Sequence, residues 1–389
     1  MLSRMPPEAY LDQDWFERER DLLFKPLWQF IGLKAMVAEH NAFITRTLFG
    51  IPLVVQNFKG ELRAFENVCP HRQNPVQVQP QGVRPLFCAY HGWSFDKDGA
   101  TANIPYENTL YRYSEEELAC LHLRRFALVC VGNLVFVNLS AAPLPIEEQF
   151  GAAMVEALNA MSSSFDGEVI MTTYDGKFNW KLAYENLRDA HHPRYLHGRT
   201  LFKETKFQAT VDEDGLAALH RLQAAGDVAD RARALDLLRG FSAGGLDSPM
   251  EQPPNDPWHV LIERYRHLDG EYHDWYYNWL VFPNLHIASA NGGYSFIIEH
   301  HIPVGPGRTD LIVHYVTAKK TRPYAQSAAV LHASMMAADA VLREDIEVME
   351  NIQRTLHPGV RPAHLGDFEF ENAGIQHWYM GLMEGRFAI

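Results

Sequence analysis

The chain is poor in cysteine, short of positive charge and without any long hydrophobic run, and each shortage removes a class of protein. Four cysteines in 389 residues rule out a disulfide scaffold and leave the thiols open to metal binding. Lys plus Arg number 35 against 48 Asp plus Glu, a formal charge of -13, which argues against nucleic acid as the main partner. The most apolar stretch, Phe126 to Leu139, is cut by Gly132 and Asn133. It falls short of the roughly 20 residues a spanning helix needs, so it predicts two buried strands and no membrane contact. The opening Met-Leu-Ser-Arg-Met-Pro-Pro-Glu has charge and two prolines before any apolar residues, the wrong order for a signal peptide. A reduced, cytoplasmic setting is therefore expected. What is plentiful is histidine, with 19 copies in an otherwise ordinary globular composition.

The length suggests two domains or three, each able to bury a core. Residues 1–38 read as a helical arm, because Tyr10, Trp15, Phe16, Leu22, Leu23, Phe24 and Trp28 recur near a 3.6 period over residues 7–30. From 39 to about 150 the texture is short and β-rich, as in Phe43-Ile44-Thr45, Pro52-Leu53-Val54-Val55 and Leu134-Val135-Phe136-Val137. Ala142-Pro143-Leu144-Pro145 reads as a linker, with the boundary near 150. Residues 151–389 mix a helix over 179–190, an unphased polar segment over 203–258, apolar strands over 275–303 and a long helix over 324–356. Helices and strands are segregated, so the fold class is α+β.

Cys69-Pro70-His71 and, sixteen residues on, Cys88-Ala89-Tyr90-His91 put two thiols and two imidazoles in two short loops of the β region. Strand-like runs flank them, so the loop tips can clamp one metal centre, exposed at the histidines. Core cysteines with incidental histidines are the plain alternative. Structural zinc is another, although zinc more often takes paired Cys and paired His ligands than one of each per loop. Cys120 and Cys130 lie outside both loops and are expected to be buried structural thiols.

A second cluster runs from Asn179-Trp180-Lys181 through Glu185-Asn186, Asp189 and His191-His192-Pro193 to His197. Pro193 disfavours continued helix at His192, and a turn there can bring His192 and His197 to one point. Histidines gathered at a helix end for the sake of its dipole are the plain alternative. Asp189 precedes His192 by three and can share a face with it, fixing an imidazole tautomer; an ion pair with Arg188 or Arg194 is its plain alternative. Downstream, Leu342, Ile346, Met349 and Ile352 form one helical stripe that includes Asp345, whereas Glu344, Glu347 and Glu350 fall nearer the polar side. A carboxylate facing a core must be paired or hold a metal, which singles out Asp345.

Cys69-Pro70-His71-Arg72 and Cys88-Ala89-Tyr90-His91-Gly92-Trp93 resemble the Rieske pattern, and the 179–197 stretch is similar to the N-W-K…E-N-x-x-D-x-x-H-x-x-x-x-H block of Rieske non-haem iron oxygenases. Asp345 followed eight residues later by Gln353 fits the same family. It departs at Gln73-Asn74, where many members carry a small residue first, and at His191, where Tyr is frequent. The latter leaves His191 beside His192 as a candidate, and the four-residue gap to His197 favours His192.

The resemblance implies a terminal oxygenase of the ring-hydroxylating and demethylating type: a small all-β Rieske domain, then a helix-grip-like antiparallel sheet with helices. It implies a 2Fe-2S cluster on Cys69, His71, Cys88 and His91, and a mononuclear Fe(II) on His192, His197 and Asp345. Electrons from NAD(P)H would arrive through a separate ferredoxin or flavin reductase. Asp189 would bridge the iron to a neighbouring subunit's cluster in a homotrimer, with or without a small β-subunit. The implied chemistry is hydroxylation of an aromatic or other small organic substrate, or oxidative demethylation of a quaternary ammonium or methoxy compound. The pocket is expected around Trp275 to Asn284, whose Phe282-Pro283-Asn284 also resembles the family, and at Asn186. A Rieske carrier with a purely binding second domain, and a zinc-structured binding protein, are the competing classes.

Overall fold

In the computed structural model, which describes all residues except 190, 201–210, 225–229, 246, 251–253, 255–256 and 322–326, the N-terminal arm is not one helix. It folds as α1 (Glu8–Leu11) and α2 (Gln13–Glu19), continued by a π-helical turn over Arg20–Phe24. Asp12 causes the break: it is extended, and its carboxylate accepts from the amides of Asp14 and Trp15, capping α2. Gln29–Leu33 is then strand β1, so the last part of the expected arm belongs to a sheet.

The β-rich region pairs as β2 (Ala42–Leu48), β3 (Ile51–Phe58), β4 (Glu61–Glu66), β5 (Gln81–Val83), a hairpin of β6 (Ser94–Phe95) and β7 (Thr101–Asn103), then β8 (Arg125–Val131) and β9 (Leu134–Asn138). Helix α3 (Glu115–Cys120) lies between β7 and β8. The sheet is antiparallel in the order β1-β9-β8-β4-β3-β2-β5. Phe126 to Leu139 forms the two strands expected of it. Gly132 turns the chain between them at φ +57, where a Cβ would collide with the Ser162 hydroxyl.

Beyond α4 (Ile146–Phe150) and α5 (Ala152–Ser163) come β10 (Ile170–Gly176), α6 (Trp180–Leu187), α7 (Pro193–Leu196), α8 (Glu213–Ala224) and α9 (Arg231–Ser242). They are followed by β11 (Ala243–Gly245), β12 (Ser248–Pro249), β13 (Trp275–Val281), β14 (Leu285–Ser289), β15 (Ser295–Gly305) and β16 (Arg308–Thr317), then α10 (Ala328–Thr355) and α11 (Phe370–Met383). The second sheet is also antiparallel, in the order β10-β16-β15-β14-β13-β11. The unphased segment contains α8, α9, β11 and β12; residues 203–210, 225–229, 246, 251–253 and 255–256 of it lie outside the described residues, as does the start expected for the long helix. Helix α11 was not anticipated. Every residue from Asn372 to Met383 is buried, so it has no polar face to generate a period.

Alternation along β13 divides two environments. Tyr277, Trp279 and Val281 pack with Phe30, Phe136 and Leu158, joining the two sheets. The opposite face carries Tyr276, Asn278 and Leu280, in register with Ala288 and His286 of β14 and, through them, with Ile297, Glu299 and the Val313 and Tyr315 of β16. On that face Leu311, Val313 and Tyr315 pack against Leu331, Ala338 and Leu342 of α10. At most part of the aromatic run from 275 to 284 can therefore line the expected pocket. Phe282 is core beside Trp180, Tyr184 and Trp378. Asn284 clamps β1, accepting from the Phe30 amide at 3.0 Å and donating to its carbonyl at 3.1 Å.

Candidate metal centres

The two Cys and His loops share one backbone form. The carbonyl of Cys69 accepts from Gln73 N at 2.9 Å and the Cys69 amide donates to Asn74 at 3.0 Å; Cys88 does the same with Gly92 and Trp93, at 2.9 and 2.8 Å. Each loop turns at its fourth residue beyond the Cys with positive φ, +58 at Gln73 and +76 at Gly92. Glycine takes that conformation without strain and glutamine does not. That is the physical content of the departure at Gln73: a small residue is favoured there because the turn is left-handed. The neighbouring Asn74 donates across to Cys88 Sγ at 3.6 Å, tying the loops together.

Both thiols are buried and both imidazoles half-buried, as expected of a centre exposed at its histidines. The rings of His71 and His91 lie 4.5 Å apart, and Trp93 stacks on His71 at 4.8 Å. Burial pushes the Cys69 thiol up to about 11, so a thiolate there requires a cation to hold it. Burial, followed by the charges of His91 and Arg72, pulls His71 below its ordinary value, which favours the neutral form that binds metal. His91 Nδ1 is buried without a hydrogen-bond partner, as a ligand nitrogen would be. The donor set fits an iron-sulfur cluster. Cys120 is exposed and Cys130 half-buried, which corrects the expectation of two buried thiols: the short α3 lies on the surface and turns Cys120 outward.

The second cluster forms where α6 ends. Asn179 caps its start, accepting from Lys181 N at 3.0 Å. The helix stops at Arg188, and Asp189 Oδ1 accepts from the amides of His191 and His192 at 2.7 and 3.2 Å. Pro193 then occupies the first position of α7, so His192 and His197 flank a single four-residue helix. Their rings come within 5.3 Å. From α10, Asp345 Oδ1 reaches His197 Nε2 at 3.2 Å and His192 Nε2 at 3.6 Å, and accepts from Asn186 Nδ2 at 3.0 Å. The three groups form a compact metal-sized set. His191 points elsewhere, between Tyr195 and Phe368, so the structure brings His192 and not His191 to the cluster.

Burial lowers the pKa of His192, outweighing the neighbouring carboxylates. At His197 burial acts the same way, but Asp345 and Glu344 outweigh it and leave the pKa raised. His192 Nδ1 is buried without a hydrogen-bond partner, and Asp189 Oδ2 stands 3.9 Å from it. Arg188 pairs with Glu371 at 2.9 Å instead of with Asp189. The set of two histidines and one carboxylate suits a mononuclear iron.

Helix phase missed Glu344. Its carboxylate accepts from Thr200 at 2.7 Å and meets His197 Nδ1 at 2.8 Å, fixing the ring whose other nitrogen faces Asp345. A residue one place before a core-facing position lies on the flank of the helix, and what a flank touches depends on the neighbouring chain. The polar row on the sheet was missed as well. Glu299 is buried between His286 at 3.1 Å and His301 at 3.2 Å, and His286 also meets Asn278. Burial works against the charge on Glu299, but His286 and His301 outweigh it and hold the pKa well below the usual carboxylate range. Tyr276 lies on the same face of β13 as Asn278. Burial raises its pKa, followed by the charges of Glu299 and Asp345.

Comparison with known proteins matches residues 27–122 to the Rieske 2Fe-2S domain and residues 167–385 to the ring hydroxylating alpha subunit catalytic domain. The chain is 25% identical over 376 residues to the large subunit of anthranilate 1,2-dioxygenase from Burkholderia cepacia, covering 90% of this chain and 84% of that one. Against the oxygenase subunit of carnitine monooxygenase from Escherichia coli K12 it is 26% identical over 193 residues, about half of each chain (48% and 50%). A quaternary ammonium Rieske monooxygenase crystal structure superposes with a TM-score of 0.72 at 18% identity, covering 98% and 95%, which shows the shared fold.

Proposed function

Because the chain belongs to the Rieske ring-hydroxylating alpha-subunit family, we propose that it hydroxylates an aromatic or other small organic substrate using His192, His197 and Asp345 as ligands of a mononuclear iron and Cys69, His71, Cys88 and His91 as ligands of a 2Fe-2S cluster. The observation that carries this reading is the meeting of His192 and His197, at the two ends of α7, with Asp345 from the distant α10. When bound, the cluster passes single electrons and the iron activates O2. The chain's own residues do the positioning. Asn186 and Glu344 orient Asp345 and His197.

In the same proposal the cluster-bearing unit covers residues 39–150 and the catalytic unit 151–389. Asp189 relays electrons from a neighbouring subunit's cluster in a homotrimer, which a small β-subunit can join and a ferredoxin or flavin reductase supplies. Accessibility supports the relay: His71 and His91 are half-buried at their loop tips, and the Asp189 side chain is 27% exposed. A reduced cytoplasmic setting is proposed from the four free cysteines. None of the described helices is long and apolar enough to cross a membrane.

A second reading, oxidative demethylation of a quaternary ammonium or methoxy compound, is favoured by Glu299. A buried carboxylate on the sheet face that also carries Tyr276 is poor company for a pure hydrocarbon and suits a cationic head group. Oxygen uptake with a reductase, measured against aromatic acids and against choline-type ammonium compounds, separates the readings by which class couples uptake to product. Asp345→Ala should lower coupled turnover by about a hundredfold or more while the red-brown cluster bands persist. Full activity in that variant would refute the iron site. Asp189→Asn should retain both metals and slow reoxidation of the cluster; unchanged reoxidation removes the relay.

A further inference from the structure

Far along the chain from either centre, the turn that leads into β13 gathers a second set of two imidazoles and one carboxylate. His267 N donates to Glu271 O at 2.9 Å, Gly270 N donates back to His267 O at 2.9 Å, and Gly270 takes φ +85, so the chain reverses tightly. The reversal brings His267, Asp269 and His273 together, with one possible ligand atom from each within 4.8 Å of the others. Asp269 Oδ2 stands 3.3 Å from His267 Nδ1 and 2.6 Å from His273 Nε2. The other carboxylate oxygen, Oδ1, is occupied by the Glu271 amide at 2.9 Å, which fixes the orientation of the group and leaves Oδ2 as its donor toward the rings.

We propose that His267, Asp269 and His273 bind a divalent transition metal of the zinc class. Bonds of about 2.0–2.1 Å in a tetrahedral site place neighbouring donor atoms about 3.3–3.4 Å apart. The pair formed by His267 and Asp269 already has that spacing. The pair formed by Asp269 and His273 would open by about 0.7 Å as the ion replaces the shared proton. The rings are held before any ion arrives. Trp275 stacks on His273 at 4.1 Å and 13°, and meets the edge of His267 at 5.4 Å; the two imidazoles are 5.1 Å apart. The histidines are about a quarter exposed and the aspartate nearly half, so the ion has an open approach and room for water at its remaining positions. Neutral imidazole and carboxylate donors suit zinc, copper(II) or nickel(II) better than magnesium or calcium, which favour all-oxygen sites. An ion there ties the turn to the base of β13, the strand that presents Tyr276 and Asn278 to the catalytic side.

Zinc itself is the probe. The triad around Asp345 also accepts zinc, so the measurement uses cluster-loaded, iron-free Asp345→Ala protein, in which that competing site is crippled. Zinc retained after gel filtration, counted by mass spectrometry against protein and cluster iron, should be one per chain. Adding His273→Ala should remove it, or weaken binding roughly tenfold or more in a calorimetric titration. Equal zinc in the single and double variants, or none in either, overturns the site and leaves the three residues as a hydrogen-bonded turn. Neither outcome touches the oxygenase reading, which rests on the other histidines.

Discussion

His197 stands between two carboxylates, and only one of them lies where helix phase put it. Asp345 faces the Nε2 side, Glu344 the Nδ1 side, and adjacent helix positions can do this because the imidazole lies across the flank of α10. A carboxylate on the remote nitrogen sets the tautomer and raises the basicity of the nitrogen that would bind metal. Glu344→Gln keeps the shape and loses the charge, so mononuclear iron affinity should fall about 10- to 100-fold while cluster absorbance stays unchanged. Iron binding equal to that of the parent protein would show Glu344 to be a bystander. The same scale explains Gln73: its left-handed backbone is forced by the loop that presents Cys69 and His71, so a residue with poor intrinsic preference sits where the turn demands one.

Helix α6 sets the angle from which the histidines of the proposed iron site leave, and a buried polar cluster fixes the helix itself. Glu19 of α2, fully buried, receives Lys181, the Trp180 indole at 3.0 Å and the Tyr379 hydroxyl of α11. Gln353 of α10 accepts from the Asn179 amide at 2.9 Å and donates to the Tyr10 carbonyl at 3.2 Å, so the arm, α6 and α10 meet at one end. Glu185 completes the set through Tyr10 and Gln376. This accounts for the Asn-Trp-Lys and Glu-Asn residues of the motif as anchors, and for Gln353 following Asp345. Removing one partner of a buried ion pair strands the other. Lys181→Met should therefore cost about 3–5 kcal/mol in urea denaturation, and Lys181→Met combined with Glu19→Gln should cost less than the single change. A single-variant loss under about 1 kcal/mol would count against the pair.

The whole molecule is held by the contact between its two sheets, where histidines serve as core. His300 and His314 are fully buried against Phe30, at 5.3 and 5.9 Å between rings. Burial, then the nearby Arg46, lowers both; His314 falls to about 3 and His300 well below its ordinary value. His301 and His314 add to the lowering at His300, whereas the Ile298 carbonyl opposes it at His314. A histidine neutral when folded and ordinary when unfolded favours folding above the unfolded value of about 6.5. As pH falls from there toward 3 the unfolded chain binds the proton first, so stability is lost by up to about 1.4 kcal/mol per pH unit for each such group. Urea unfolding of His314→Gln between pH 6.5 and 4 should show a slope shallower by about that amount. An unchanged slope would place the acid sensitivity elsewhere.

The sequence by itself determined the candidate ligand types, their spacing within each loop and the break at Pro193, because these are local properties: a proline cannot extend a helix, and an apolar stripe marks its own face. It also determined the α+β character and the strand pair from 126 to 139. Tertiary structure alone decided the rest. That Glu344 and Glu299 are partnered, that Phe282 packs against α6 and α11 while Asn284 clamps β1, and that His267, Asp269 and His273 meet all depend on what lies opposite each side chain. That neighbour comes from a distant part of the chain, and for a residue on a helix flank or a strand face, burial and hydrogen bonding are set by the neighbour and not by the residue's own period.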